Sequence, residues 1–337
     1  MDLKVAIIGS GNIGHVHARA VQNTPGLALD AIVDNQPDRL AAFTAEFKTP
    51  HQFSGLEELL KSGRPEAVVI GVPNYLHAPF AIAALEAGIP VLVEKPMAMN
   101  AAEAQQMAEA SQKSGAPLMV GQCWRFDTEV GWLRQQVQAG RLGKIIRTKG
   151  YGIHVHWGPD GWFSQKKLAG GGGLADMGVH AIDTARFLMG DPQPVSVYAR
   201  MGTYYKDIDV DDTGVILITW DNGVTSYIES GWWQPHMDGP EASTQLYGLS
   251  GFGSVFPTRL ELPAVEERKI EVISDPAFIF PRLDHSPQEI YDRQMAYFAA
   301  SIRSGQTPVP GAREGLVNMK IIDAAYKSAQ TGKVVEL

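Results

Sequence analysis

The chain has 337 residues, 45% hydrophobic and 20% charged, which is globular composition and enough length for two domains. A formal net charge of −8 argues against a nucleic-acid partner, and no apolar run approaches the roughly 20 residues that span a bilayer. The single cysteine, Cys123, excludes an intrachain disulfide and suits a reducing compartment. Met1-Asp2-Leu3-Lys4 leads straight into an apolar run at residues 5–8, without the basic start and longer apolar core of a secretory signal. The expectation is a cytoplasmic protein with no membrane or nucleic-acid partner.

Residues 5–8 form a short apolar run ending in glycine, which predicts a buried strand. Residues 12–23 have helical spacing at Ile13, Val16, Ala20 and Val21, and Pro25-Gly26 follows. Residues 27–33 read as a second strand closed by Asp34, and 37–47 as a helix with Leu40, Phe43 and Phe47 on one side. A short helix at 56–61, a strand at 67–72 between prolines, a helix at 77–87 and a strand at 90–93 come next. A helix at 101–114, stopped by Gly115, and a strand at 118–120 complete the series. Short apolar strands alternating with helices imply parallel pairing through crossovers.

The character changes after residue 121. A helix at 130–139 is followed by strand-like runs at 145–155, 195–201, 214–220, 224–233 and 243–247, rich in β-branched and aromatic residues. Asp221-Asn222-Gly223 is a hairpin signal. Helices at 288–304 and 313–330 and a last strand at 334–337 close the chain. The expected fold is therefore α/β plus α+β. Residues 1–122 make a doubly wound parallel sheet, and 123–337 an open, mixed, mainly antiparallel sheet with helices on one face.

The first strand runs into Gly9-Ser10-Gly11-Asn12-Ile13-Gly14, a GxGxxG pattern opening a helix. Gly9 permits the tight turn, Gly11 lets backbone approach a pyrophosphate, and Gly14 lets the helix pack close to the sheet. Asp34 ends the second strand, 20 residues past Gly14, where a carboxylate accepts from ribose hydroxyls and repels a 2′-phosphate. Asn35 follows, where a cation would favour NADP; Arg39 leaves NADP open beside the preferred NAD. The first domain is thus expected to be a dinucleotide-binding Rossmann domain.

Glu94-Lys95-Pro96 ends the strand at 90–93, and ligands of open parallel sheets bind beyond strand carboxyl ends. Lys95 is thereby a candidate for contact with cofactor and substrate, against the plain alternative of a surface lysine. Pro96 raises the question of a cis bond. Four glycines, Gly170 to Gly173, precede a stretch in which Asp176, His180 and Asp183 share one helical stripe, while Leu174, Met177, Ala181 and Leu188 share another. The glycines are read as letting the chain pass close to a ligand. His180 is the candidate proton acceptor and Asp176 its partner or a substrate ligand. A satisfied core histidine, a solvated polar face and a metal site are the competing readings. His154 and His156 on one strand face could join Asp176 and His180 as metal ligands, but no metal is expected. Tyr151, His154, His156, Trp157 and Trp162 are instead read as a pocket wall suited to a sugar. Cys123, His15, His17, His51, His236 and His285 carry no readable functional signal.

Taken in order, Gly9 to Gly14, Pro73-Asn74 with His77, Glu94-Lys95-Pro96, and Asp176-x-Gly178-x-His180-x-x-Asp183 resemble the Gfo/Idh/MocA family nearly end to end. The resemblance implies that Lys95 contacts substrate and cofactor, that His180 is the base paired with Asp176, and that Pro73, Asn74 and His77 border the cofactor. It also implies a homodimer or homotetramer built through the C-terminal sheet. Phe163 follows Trp162 where many members have arginine, so no particular sugar carries over. In all, Gly9, Gly11, Asn12, Ile13, Gly14, Asp34, Asn35, Arg39, Pro73, Asn74, His77, Glu94 and Lys95 are expected at the cofactor. Lys95, Tyr151, His154, His156, Trp162, Asp176, His180 and Asp183 are expected at the substrate. The expected activity is NAD(P)-dependent oxidation of a secondary hydroxyl of a polyol or sugar. An NAD-recycling glycosidase and a non-catalytic NAD(H) sensor are the alternatives.

Overall fold

The computed structural model describes residues 2–235, 241–264, 269–275, 277–278 and 286–337. His236 and His285 lie outside these residues. By their contacts the residues divide into two compact units, 1–123 with 286–319, and 124–285 with 320–337. The sequence reading keeps 123–337 together; residues 286–319 instead group with the first unit.

The first unit alternates β1 (Leu3–Ile8), α1 (Asn12–Asn23), β2 (Leu27–Val33), α2 (Pro37–Phe47), β3 (His51–Phe53), α3 (Leu56–Lys61), β4 (Ala67–Ile70), α4 (His77–Glu86), β5 (Val91–Glu94), α5 (Ala101–Ser114) and β6 (Leu118–Gly121). The six strands are all parallel, in the order β3-β2-β1-β4-β5-β6. This is a doubly wound sheet whose order reverses between β1 and β4. Its central strands carry unbroken apolar stretches buried on both faces: Val5 to Ile8, Val68 to Ile70 and Val91 to Val93. The edge strand β3 is missing from the sequence reading because three residues with two polar side chains carry no apolar run.

The helix α9 (Gln288–Ser304) belongs with this unit because its side chains seat on α1. Tyr291 meets the His17 ring edge-on at 5.6 Å, Asn23 donates to Asp292 at 2.9 Å, and Arg303 donates to the Gly26 carbonyl at 2.6 Å.

The second unit contains α6 (Thr128–Gln138), β7 (Ile145–Val155), α7 (Lys166–Ala169), α8 (Val179–Leu188), β8 (Pro194–Gly202), β9 (Thr213–Trp220), β10 (Thr225–Gln234), β11 (Ala242–Gly248), β12 (Phe252–Val255), β13 (Arg259–Ala264) and β14 (Lys269–Ile273). Helix α10 (Ala312–Thr331) runs from residues of the first unit into residues of the second, and β15 (Val335–Glu336) ends the chain. Among the described residues nine strands form one sheet, β14-β13-β12-β11-β7-β10-β9-β8-β15, in which only β7 and β10 pair in parallel. Alternation sets its two faces. Ile216, Ile218, Ile228 and Val197 turn inward and are fully buried, while Val215 and Leu217 turn outward.

Gly14 and Gly9 explain how α1 closes on the first sheet. Gly9 has φ +101°, and a Cβ at Gly14 would overlap the Gly9 carbonyl oxygen, whereas a Cβ at Gly11 meets no atom within 4 Å. Gly14→Ala is therefore expected to cost about 1–3 kcal/mol in urea unfolding. Gly11→Ala, at the helix cap, is expected to cost about 1 kcal/mol or less. Equal losses at the two positions would contradict the steric account.

Candidate active site

In the first unit, the end of β1 turns through Gly9, whose N–H donates to the Val33 carbonyl at 2.8 Å. Ser10 and Asp34, at the ends of β1 and β2, are thereby joined. The Ser10 N–H and Oγ–H both donate to one Asp34 oxygen, at 2.9 and 2.6 Å, and the Gln36 N–H donates to the other at 2.9 Å. Partial burial opposes the charge, but these donors and the Arg39 guanidinium outweigh it and hold the carboxyl below its usual range. A fixed negative charge thus stands beside the glycine turn. Gly11 caps α1 without any side-chain hydrogen bond, so the first-turn N–H groups keep a free approach for an anion. These residues fit a dinucleotide. Asn12 and Ile13 sit in that first turn, and Asn35 and Arg39 are exposed beyond Asp34.

Glu94 is the last residue of β5, and Lys95 follows it across to a cis Lys95–Pro96 bond. The Glu94 carboxylate meets His17 Nε2 at 2.7 Å and accepts the Lys95 main-chain N–H at 3.1 Å. His77 stands with Nδ1 2.8 Å from the Pro96 carbonyl and Nε2 2.9 Å from the Val72 carbonyl. Burial lowers its pKa against the pull of those two carbonyls, and the ring spans the exits of β4 and β5. Asn74, after Pro73, is buried in the same turn.

In the second unit, Leu174–Gly178 forms a π-turn that feeds α8. Asp176 and His180 therefore stand on different helical geometries, and the two-stripe reading fails. Every residue of α8 except Phe187 is buried. Two of the four glycines are required by the fold itself. A Cβ at Gly172 would overlap the Asp211 carbonyl, and one at Gly173 would lie 2.8 Å from Gly231 Cα, so the chain passes close to its own strands. Asp211 fixes this turn: its buried carboxylate accepts from the N–H groups of Gly172 and Leu174, each at 2.8 Å, and from the Tyr326 hydroxyl at 2.7 Å.

Asp176 accepts the Trp232 indole N–H at 3.0 Å and stands 3.7 Å from His154 Nε2. His154 Nδ1 lies 3.1 Å from Glu241, which also accepts the indole N–H of Trp157. Trp157 stacks on the His154 ring at 3.6 Å. His180 is buried with its ring stacked on Trp124 at 4.6 Å. This brings Asp176, His154, Trp157, Trp232 and Glu241 together.

Four expected substrate residues stand outside this cluster. Asp183 is 1% exposed and gives both carboxylate oxygens to Arg125, at 2.7 and 2.8 Å, which removes it from any substrate surface. Tyr151 alternates onto the face opposite His154, in the row of Glu229 and Ser243, because strand side chains alternate with period two. Strand β7 ends at Val155 and His156 has φ +60°, so the alternation that would pair His154 with His156 stops. Trp162 lies on a short turn, stacked on Phe163 at 3.8 Å. A cleft of about 310 Å³ bordered by Gly171, Thr203, Asp211 and Tyr326 contains none of the expected substrate residues. Among the described residues, no group of three or more His, Cys, Asp and Glu is placed to hold a metal ion. No helix among them is long and apolar enough to cross a membrane.

Glu241, Trp232, Asp211 and Arg125 are absent from the sequence reading. Each lies far in sequence from its partner and meets it only through tertiary packing; no local spacing could have found them.

Residues 3–122 match the oxidoreductase family with an NAD-binding Rossmann fold, and residues 130–252 match the GFO/IDH/MocA C-terminal domain. D-glucoside 3-dehydrogenase of Escherichia coli K12 is 27% identical, covering 99% of this chain and 97% of its own length. The scyllo-inositol 2-dehydrogenase (NAD(+)) of Bacillus subtilis 168 is 25% identical, over 100% and 96%. The solved structure of levoglucosan dehydrogenase in complex with NADH and levoglucosan superposes with a TM-score of 0.90 at 24% identity, covering 100% of this chain and 99% of that one. The chain belongs to the Gfo/Idh/MocA family: it is an NAD(P)-dependent oxidoreductase with an NAD-binding Rossmann domain.

Burial opposes a charge on His154, but Asp176 and Glu241 outweigh it and raise its pKa above the ordinary value. Its contribution to stability is then complete below about pH 6.5 and is lost as pH rises through the raised folded value. An imidazolium stacked on Trp157 quenches the indole. Trp157 fluorescence, taken as the difference between the wild type and Trp157→Phe, is expected to rise through a transition above about pH 6.5. His154→Gln should abolish that transition. A midpoint at or below the ordinary histidine value would contradict the arrangement.

Proposed function

We propose that the chain is an NAD-dependent dehydrogenase that reversibly oxidises one secondary hydroxyl of a sugar or polyol. The observation that carries this reading is the cluster of Asp176, His154 and Glu241 closed in by the indoles of Trp232 and Trp157. Carboxylates and an imidazole bind hydroxyls, and aromatic faces take the C–H faces of a ring. Relatives named as dehydrogenases of a glucoside and an inositol support the same class.

Bound NAD supplies the two-electron acceptor. His180 takes the hydroxyl proton, and its stacking on Trp124 fixes the plane in which it does so. Lys95 donates to the substrate oxygen and offsets the negative charge that develops there. Asp176, aimed by the Trp232 N–H, orients the substrate. Asp183 moves from the substrate set to an anchoring role, holding Arg125. The Asp34 carboxylate, kept ionised beside the glycine turn, supports NAD over NADP because it repels a 2′-phosphate.

The outward face of the C-terminal sheet presents Tyr198, Leu217, Tyr227 and Lys149 in one cross-strand row, with Leu217 41% exposed. Next to it run Arg200, Val215, Glu229 and Tyr151. This mixed apolar and aromatic face supports self-association as a homodimer or homotetramer. Leu217→Glu is expected to shift the molar mass in light scattering to a lower oligomer; an unchanged mass would place the interface elsewhere.

The reading is tested by incubating the protein with NAD and a panel of inositols, free sugars and glycosides, following NADH and analysing products. NADH formation with one polyol or sugar is expected. Glycoside cleavage without NADH would replace the dehydrogenase by a recycling glycosidase. Lys95→Met should lower turnover about a hundredfold or more while leaving NAD affinity nearly unchanged. Near-full turnover would remove Lys95 from the mechanism.

A further inference from the structure

We infer that His17 and Glu94 form a buried positioning pair that ties the cofactor-binding helix α1 to the turn carrying Lys95. The inference rests on the reading of Lys95 as a substrate contact. His17 lies three residues after Gly14, so it stands on the same inward face of α1, one turn behind the glycine loop. Its Nε2 meets Glu94 Oε1 at 2.7 Å, with the two side chains 0% and 9% exposed. The other Glu94 oxygen accepts the main-chain N–H of Lys95 at 3.1 Å. One carboxylate therefore holds both the helix and the backbone from which the lysine side chain departs.

The surroundings are built around that carboxylate. Gly121 pairs with Glu94 in the sheet, and a Cβ there would lie 2.8 to 3.1 Å from the Glu94 carboxyl atoms. Tyr291 closes the far side of the His17 ring edge-on. Cys123, against Tyr291, has its thiol pushed up to about 12 by burial first and by the Glu94 charge second, so it is inert packing.

His17 is also a poor choice as a packing residue. Its Nδ1 is buried and meets no hydrogen-bond partner among the described residues. A phenylalanine would keep the edge-on contact with Tyr291 and leave no such nitrogen. What the imidazole alone supplies is the bond to Glu94. The pair thus makes the glycine-loop helix and the Lys95 turn one mechanical piece, so that the geometry of the loop sets the geometry of the lysine.

The test is a double-mutant cycle on the full chain, with His17→Phe, Lys95→Met and the two combined, and with His17→Gln and Glu94→Gln alongside. Two properties are read. One is kcat and KM with the substrate found by the panel. The other, in the absence of nucleotide and substrate, is the rate at which acetic anhydride labels the Lys95 amine, relative to the other lysines, by peptide mass spectrometry. His17→Phe is expected to lower kcat about tenfold with little change in KM, and to add no further loss on the Lys95→Met background. Lys95 labelling should change severalfold in His17→Phe and Glu94→Gln, and His17→Gln should restore part of both properties. Unchanged labelling together with unchanged kcat, or a loss that adds fully to that of Lys95→Met, overturns the inference. If His17→Phe does not fold, Glu94→Gln decides: unchanged labelling overturns it. If Lys95→Met retains turnover, the catalytic reading of Lys95 falls, while the labelling still judges the positioning pair.

Discussion

Helix α1 can lie against the turn that follows β1 only because Gly14 has no side chain to strike the Gly9 carbonyl. Much of the first unit depends on that contact. It sets the distance at which the uncapped N–H groups of α1 face an incoming anion, and it fixes which residues of α1 turn toward the sheet. His17 is one of them, and the bond it makes at the end of β5 follows from the same approach. Asp34 is aimed by the turn as well, since Ser10, next to Gly9, supplies two of its three donors. A change of helix–sheet spacing would be felt at each of these points together.

The second unit solves a different problem. It must bring polar side chains to the end of a helix that is otherwise buried on almost every side. Asp211 does this by satisfying the N–H groups of the glycine turn from the interior, so that the turn needs no water and can pass directly against Asp211 and Gly231. Arg125 does the corresponding work on the far side of α8 by taking both oxygens of Asp183. The cost of burying that charge is offset because Asp191 also accepts from the guanidinium.

Strong local signals made the first unit legible. The helices at 12–23, 37–47, 56–61 and 101–114 lie where periodicity and stop residues place them, because each segment's own pattern agrees with its packing. The C-terminal sheet was legible in type but incomplete. Phe252–Val255, Arg259–Ala264 and Lys269–Ile273 are short or charged strands near one edge, and they carry little apolar alternation. Asp176 and His180 became candidates because their spacing is local. Glu241 and Trp232 did not, since their meeting with His154 and Asp176 depends on the register of β7, β10 and β11. Asp183 misled for the same reason: its partner Arg125 is 58 positions away.

The π-turn at Leu174–Gly178 also restricts how this segment can change length. A π-turn is an α-helix that has accepted one extra residue, so everything before it is displaced in phase from everything after it. Losing a single residue there would let the helix close into a plain α form at little local cost. It would also draw Asp176 out of the bulge and turn its carboxylate about the axis relative to α8. The carboxylate would leave the Trp232 indole and His154, while His180 kept its place against Trp124. The segment can thus exchange residues more freely than it can lose one, and its length is as much a part of the site as its side chains.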